Sequence, residues 1–173
     1  TIFIKNLMIP AGVLGSKKPT KAQLEDVNYG FSLAKEMGKL DVGQSVVIKD
    51  KMIMAVEAIE GTDKCIKRGG HLAKKNSRVI KVAKPSQDKR FDIPAIGLKT
   101  LKTMRKAKAD LIAVEAGETI IVDKDETISR NIPEKSKVIE ETTFFYIKLS
   151  AIDVGSIADI ESISFCPGMF KSL

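Results

Sequence analysis

SVVIKDKMIMAVEAIEGTDKCIKRGGHLAKK (45–75) decides the architecture. Ser45–Ile48 and Met52–Glu57 are β-rich runs on either side of Lys49-Asp50-Lys51, which predicts a hairpin or a tight strand pair. Ile53, Ala55 and Glu57 share a face on a period of two, so Glu57 ends an apolar strand face. The polar turn Glu60-Gly61-Thr62 follows, and Thr62 is placed to cap a helix over 63–75. Val79–Ala83 is the next predicted strand. A hairpin, a helix and a further strand in that order predict a layered α/β domain whose sheet is mixed rather than purely parallel.

Working outward, the N-terminal side supplies a second layer. Residues 1–9 read as a strand, and 10–19 as a linker punctuated by Pro10, Gly12, Gly15 and Pro19. Thr20 and Gln23 have capping-box spacing, so a helix should begin at 21. Leu24, Val27, Phe31 and Ala34 recur at helical spacing along it, and Gly38 is placed to stop it. On the C-terminal side, Pro85 and Pro94 keep 84–96 out of helix. A helix at 98–108 and strands at 111–116 and 119–122 come next. A short helix near 125–130 and a strand near 137–139 close the pattern. Leu24, Phe31, Leu101 and Met104 are expected to be buried against the sheet. Residues 142–173 show no clear period and are assigned to no element.

Composition narrows the chemistry. The chain has 173 residues, 43% of them hydrophobic, enough for one domain with a real core. No run approaches the roughly 18–20 apolar residues of a membrane span. Cys65 and Cys166 belong to no CxxC pair, so a zinc site has no support and reduced thiols are expected. The formal charge of +7 favours anionic partners: nucleic acid, acidic lipid headgroups or phosphorylated metabolites. There is no Trp and only Tyr29 and Tyr146, so the basic residues lack a stacking platform, which argues against nucleic acid.

Two constellations can carry chemistry. The loop KPSQDKRFDIP (84–94) sets Asp88 and Asp92 on either side of Lys89, Arg90 and Phe91. Carboxylates can hold Mg²⁺ with help from phosphate oxygens, and Arg or Lys can neutralise phosphoryl charge. The plain alternative is a surface turn with its own ion pair. The second constellation is Glu57, Glu60 and Asp63. Acidic groups there complement a helix dipole by roughly 0.3–1 kcal/mol each. The same helix start can hold a phosphate on the backbone N–H groups of 61–64. Gln44 can orient a ligand or simply turn a corner. Lys81, Lys84, Lys99, Lys102, Arg105 and Lys106 form a basic set around the central loop. His71, the single histidine, reads as a helix-surface residue.

The order LDVGQSVVIKDKMIMAVEAIEGTD, KVAKPSQDKRFDIPAIGLKT, AVEAGETIIVD resembles the C-terminal domain of the LpxI family of UDP-2,3-diacylglucosamine pyrophosphatases. PAGVLGSKKPTKAQLEDVNYGFSLAKEMGKL resembles that family's interdomain linker and first helix, so the resemblance covers roughly 10–139. It implies a three-layer αβα sandwich of cytidine-deaminase-like shape. It implies the end of a preceding domain and linker at 1–19, a catalytic, lipid-precursor-binding domain at 20–141 and an unassigned tail at 142–173. It further implies Mg²⁺-dependent hydrolysis of UDP-2,3-diacylglucosamine to UMP and 2,3-diacylglucosamine 1-phosphate in lipid A synthesis. The substrate would lie between this half and an N-terminal nucleotide-binding domain absent from the chain. Asp88, Asp92 and Glu57 are then the expected catalytic residues, and Asp88, Asp92 and Asp63 the metal ligands. Gln44, Glu60, Gly61, Thr62, Lys81, Lys84, Gln87, Lys89 and Arg90 are the expected substrate contacts. A cytoplasmic location is expected, with inner-membrane contact and a homodimer as further expectations. The competing reading is a non-catalytic module that binds lipid phosphate or nucleic acid through its basic face.

Overall fold

A computed structural model describes residues 8, 12–13, 19–85, 93–122 and 144–148. Helix α1 is Lys21–Lys39. Its capping box is complete: Gln23 N donates to Thr20 Oγ1 at 3.3 Å, and Thr20 N donates to Gln23 Oε1 at 2.9 Å. Leu24, Val27 and Ala34 are buried, whereas Phe31 is only partly so. Gly38 does not end the helix. Leu40 caps it, and Asp41 takes the left-handed conformation at φ 57°.

The hairpin forms as expected. Strands β2 (Ser45–Lys49) and β3 (Met52–Val56) pair antiparallel, following the short β1 (Gly12–Val13). Asp50 and Lys51 both have positive φ, at 51° and 57°, the geometry of a two-residue turn matched to strand twist. Neither is glycine. The strain is offset by Asp26 of α1, whose carboxylate accepts from both turn amides, Asp50 N at 3.1 Å and Lys51 N at 2.7 Å.

Helix α2 (Thr62–Ala73) leads to β4 (Ser77–Lys81), antiparallel to β2. Two-residue β5 (Ala95–Ile96) precedes α3 (Leu98–Lys106) within the stretch expected to be loop. Strand β6 (Ala109–Glu115) runs parallel to β4, as a helical crossover requires. Strand β7 (Ile120–Ile121) pairs with β5 in a small side sheet, to which Met8 adds one bridge at Ile120. The stretch left unassigned contributes β8 (Phe144–Lys148), antiparallel to β6 and parallel to β1. The main sheet is therefore mixed, with order β1-β8-β6-β4-β2-β3. It draws strands from outside 20–141. The elements expected near 125–130 and 137–139 lie outside the described residues.

Alternation along the strands makes two cores. Val46, Ile48, Ile80, Val82, Leu111 and Ala113 face α1. Val47, Val79, Ile112 and Val114 face α2 and α3, meeting Cys65, Ile66, Leu101 and Met104. Each fully buried Ile or Leu contributes roughly 1.5–3 kcal/mol. The result is an α/β sandwich with helices on both faces of a mixed sheet.

Candidate functional site

β2 runs against both its neighbours, so its start meets their ends. Ser45 pairs with Lys81 across the sheet, and Glu57 N donates to Ser45 O at 2.9 Å. The end of β3, the end of β4, the start of β2 and the start of α2 thus share one edge. In open α/β sheets that edge, outside the carboxyl ends of parallel strands, is where ligands bind.

Glu57 organises it. The side chain is 7% exposed. Oε1 accepts from Thr62 Oγ1 at 2.9 Å. Thr62 Oγ1 in turn accepts from Lys81 Nζ at 2.8 Å and lies 3.4 Å from Ser45 Oγ. Lys81 is itself buried. A buried carboxylate and a buried ammonium therefore compensate each other through a shared hydroxyl, the arrangement that keeps buried charge tolerable. Glu57 Oε2 and Gln44 Oε1 are also buried, and neither has a hydrogen-bond partner among the described residues. Gly43 keeps the turn close: a Cβ there would fall 2.0 Å from Glu57 O.

Helix α2 begins differently from expectation. Gly61, at φ 82°, is the N-cap, and no side chain caps the first turn. Thr62 is the first helical residue instead. Its hydroxyl is drawn to Glu57 and Lys81 by charge, which outweighs the neutral cap bond.

The remaining expected residues divide. Glu60 closes its own loop, accepting from Ala58 N at 3.1 Å and from Arg68, which also donates to Val56 O at 2.8 Å. The Arg68 guanidinium, with help from the Glu60 and Ala58 amides, holds the Glu60 carboxyl below its usual range. Asp63 faces Lys99 at 3.3 Å. Lys84 pairs with Asp41 at 2.7 Å. Gln87, Asp88, Lys89, Arg90 and Asp92 lie outside the described residues. Among the described residues no three His, Cys, Asp or Glu side chains converge as a metal site, and at this edge Glu57 Oε2 is buried without a hydrogen-bond partner among those residues. Cys65, in the first turn of α2, is fully buried, and burial pushes its thiol up to about 12, which disfavours the thiolate. Ser45 was missed by sequence reading, because nothing marks a serine that opens a buried strand. No helix among the described residues is long and apolar enough to cross a membrane.

UDP-2,3-diacylglucosamine pyrophosphatase LpxI of Caulobacter vibrioides is 32% identical over 131 residues, covering 71% of this chain and 47% of that protein. The chain spans about half the length of that relative. The model of the LpxI C-terminal domain matches residues 10–139. That span contains Gln44, Ser45, Glu57, Thr62 and Lys81, and the chain belongs to the LpxI C-terminal domain family.

Proposed function

We propose that this chain is the catalytic C-terminal part of a hydrolase that cleaves the diphosphate of UDP-2,3-diacylglucosamine. Water adds to one phosphorus, the bridging P–O bond breaks, and the products are UMP and 2,3-diacylglucosamine 1-phosphate. The observation that carries the reading is Glu57: buried, tied through one oxygen to Thr62 and Lys81, and unpartnered at the other among the described residues. A carboxylate so placed takes the proton of the attacking water. Thr62, held in turn by Lys81, fixes its orientation through a charge-assisted hydrogen bond. The uncapped first turn of α2, with Gly61 and Thr62, is suited to a phosphate oxygen. Gln44 orients it.

The loop 84–94 supplies the rest of this reading. Lys89, Arg90, Gln87 and Lys84 contact the diphosphate, and Glu60 shapes the neighbouring turn. Asp88, Asp92 and Asp63 would hold Mg²⁺, whose chemistry is to neutralise charge building on phosphoryl oxygens. The uridine is held by a nucleotide-binding domain that precedes this one, so 1–173 alone hydrolyses little substrate: remote binding energy positions the reacting group.

The test is Mg²⁺-dependent release of UMP from UDP-2,3-diacylglucosamine by the full-length protein that carries this chain. Asp88→Ala is expected to lower kcat by about 10²–10³ while substrate binding largely survives. A folded Asp88→Ala protein with near wild-type kcat removes Asp88 from the mechanism. A full-length protein that binds the substrate but releases no UMP makes this a binding module.

A further inference from the structure

The opposite face of the same edge carries a second charged pair that sequence reading did not single out. Lys35 of α1 and Glu115 at the end of β6 meet at 2.7 Å. Both also grip one residue. Lys35 Nζ donates to Ala83 O at 3.0 Å, and Glu115 Oε2 accepts from Ala83 N at 3.0 Å. Ala83 lies two residues beyond Lys81, past the last ladder pair of β4. A purely surface ion pair has no need to take both backbone groups of a single residue.

The grip is reinforced on every side. Val82 N donates to Gln44 O at 2.9 Å, which ties the preceding residue to the start of β2. Lys84 Nζ reaches Asp41 Oδ1 at 2.7 Å. Gly38 lets α1 lie directly on the chain: a Cβ there would stand 3.3 Å from Pro85 Cδ and 3.4 Å from Lys84 Cα. The backbone from Lys81 to Pro85 is therefore held at successive residues by β2, β6 and α1. At its head stands Lys81, whose ammonium donates to the Thr62 hydroxyl that in turn donates to Glu57.

We infer that Lys35 and Glu115 are positioning residues for the hydrolytic site, setting the height at which the chain leaves β4 and hence where Lys81 presents its charge. This rests on the reading of the site given above. Lys35 and Glu115 act from the α1 face, whereas Thr62 lies on the α2 side, so they act through the backbone rather than on substrate. Misplacing a catalytic group by about 1 Å can cost on the order of 10²-fold in rate.

The experiment is steady-state kinetics on the full-length protein with UDP-2,3-diacylglucosamine. Lys35→Met and Glu115→Gln are each expected to lower kcat by roughly 10–100-fold with little change in KM. The double variant should be no worse than the poorer single one, because both arms hold the same residue. Lys35→Arg, which keeps charge and donors, should restore most of the rate. Wild-type kcat in Lys35→Met overturns the inference and leaves the reading of the site intact. So does a loss in Lys35→Met that Lys35→Arg shares in full and that tracks the unfolded fraction. A wild-type protein that releases no UMP overturns the reading, and the inference with it.

Discussion

The two ends of the sheet bury similar charges and treat them differently. At the hairpin end, Asp26 is 2% exposed and Arg78 7%; at the other, Glu57 is 7% and Lys81 5%. Asp26 accepts two turn amides and faces Arg78 Nε at 3.4 Å. Arg78 Nε also lies 3.6 Å from Asp110 Oδ1, and Gln23 donates to Asp110 Oδ2 at 2.9 Å. Both oxygens of Asp26 are spent on structure. At the Glu57 end one carboxylate oxygen is bound, and the other, like Gln44 Oε1 just before β2, has no hydrogen-bond partner among the described residues. An unsatisfied buried polar group costs about 1–3 kcal/mol. Folds keep such a cost mainly where a ligand or a reaction uses it. The Asp26 carboxylate, with both oxygens bonded, therefore holds the hairpin, although Arg78 Nε beside it is itself buried without a hydrogen bond among the described residues; the carboxylate with one oxygen left over is Glu57, which the proposed function uses.

Removing Asp26 should give the largest effect of the comparison. Asp26→Ala strips the turn of its acceptor and leaves Arg78 buried beside a single carboxylate, a loss of about 3–5 kcal/mol. Urea unfolding measures it. Turnover per folded molecule should not change, and a loss under about 1 kcal/mol would mean that the network is not structural.

Glu57→Gln should do the reverse. It keeps shape and removes the proposed base, so kcat should fall by about 10²–10³, well beyond the stability lost when buried Lys81 is left without its countercharge. Urea unfolding and UMP release on one preparation decide this. Equal losses in stability and rate would make Glu57 another structural carboxylate.

The smallest effect belongs to Glu60, half-buried beside Arg68. Arg68 lowers its folded pKa below the ordinary value of 4.5. The pair's contribution is therefore complete above the unfolded value, declines as pH falls through the lowered folded value, and is absent below it. Comparing Tm of wild type and Glu60→Gln from about pH 6 down to about pH 3 should show a small gap that closes in acid. A gap that widens in acid reverses the sign and the assignment.

Much of this was legible along the chain. Strand and helix periods, the Thr20–Gln23 capping box and the Asp50–Lys51 turn are local properties, since hydrogen bonds and φ preferences act within a few residues. The sequence also marked Glu57 as a carboxylate on an apolar strand face, and the resemblance to LpxI enzymes marked the segments around it. Strand β8 had a signal too: FFYIK (144–148) is rich in β-formers, but without a period around it the run stood alone.

Other features depended on which segments the fold brings together. Asp26 and the hairpin turn are 24 and 25 positions apart, Lys35 and Glu115 80, and Thr62 and Lys81 19. No local preference encodes such distances. The antiparallel return of β2 between β3 and β4 places Ser45, Glu57 and Lys81 at one edge, and only that pairing makes Thr62 a shared acceptor and donor rather than a helix cap. The sequence by itself determined the elements and the residue types available for chemistry. The tertiary structure decided which of them are buried together, because burial removes competing water and makes each missing or present partner count.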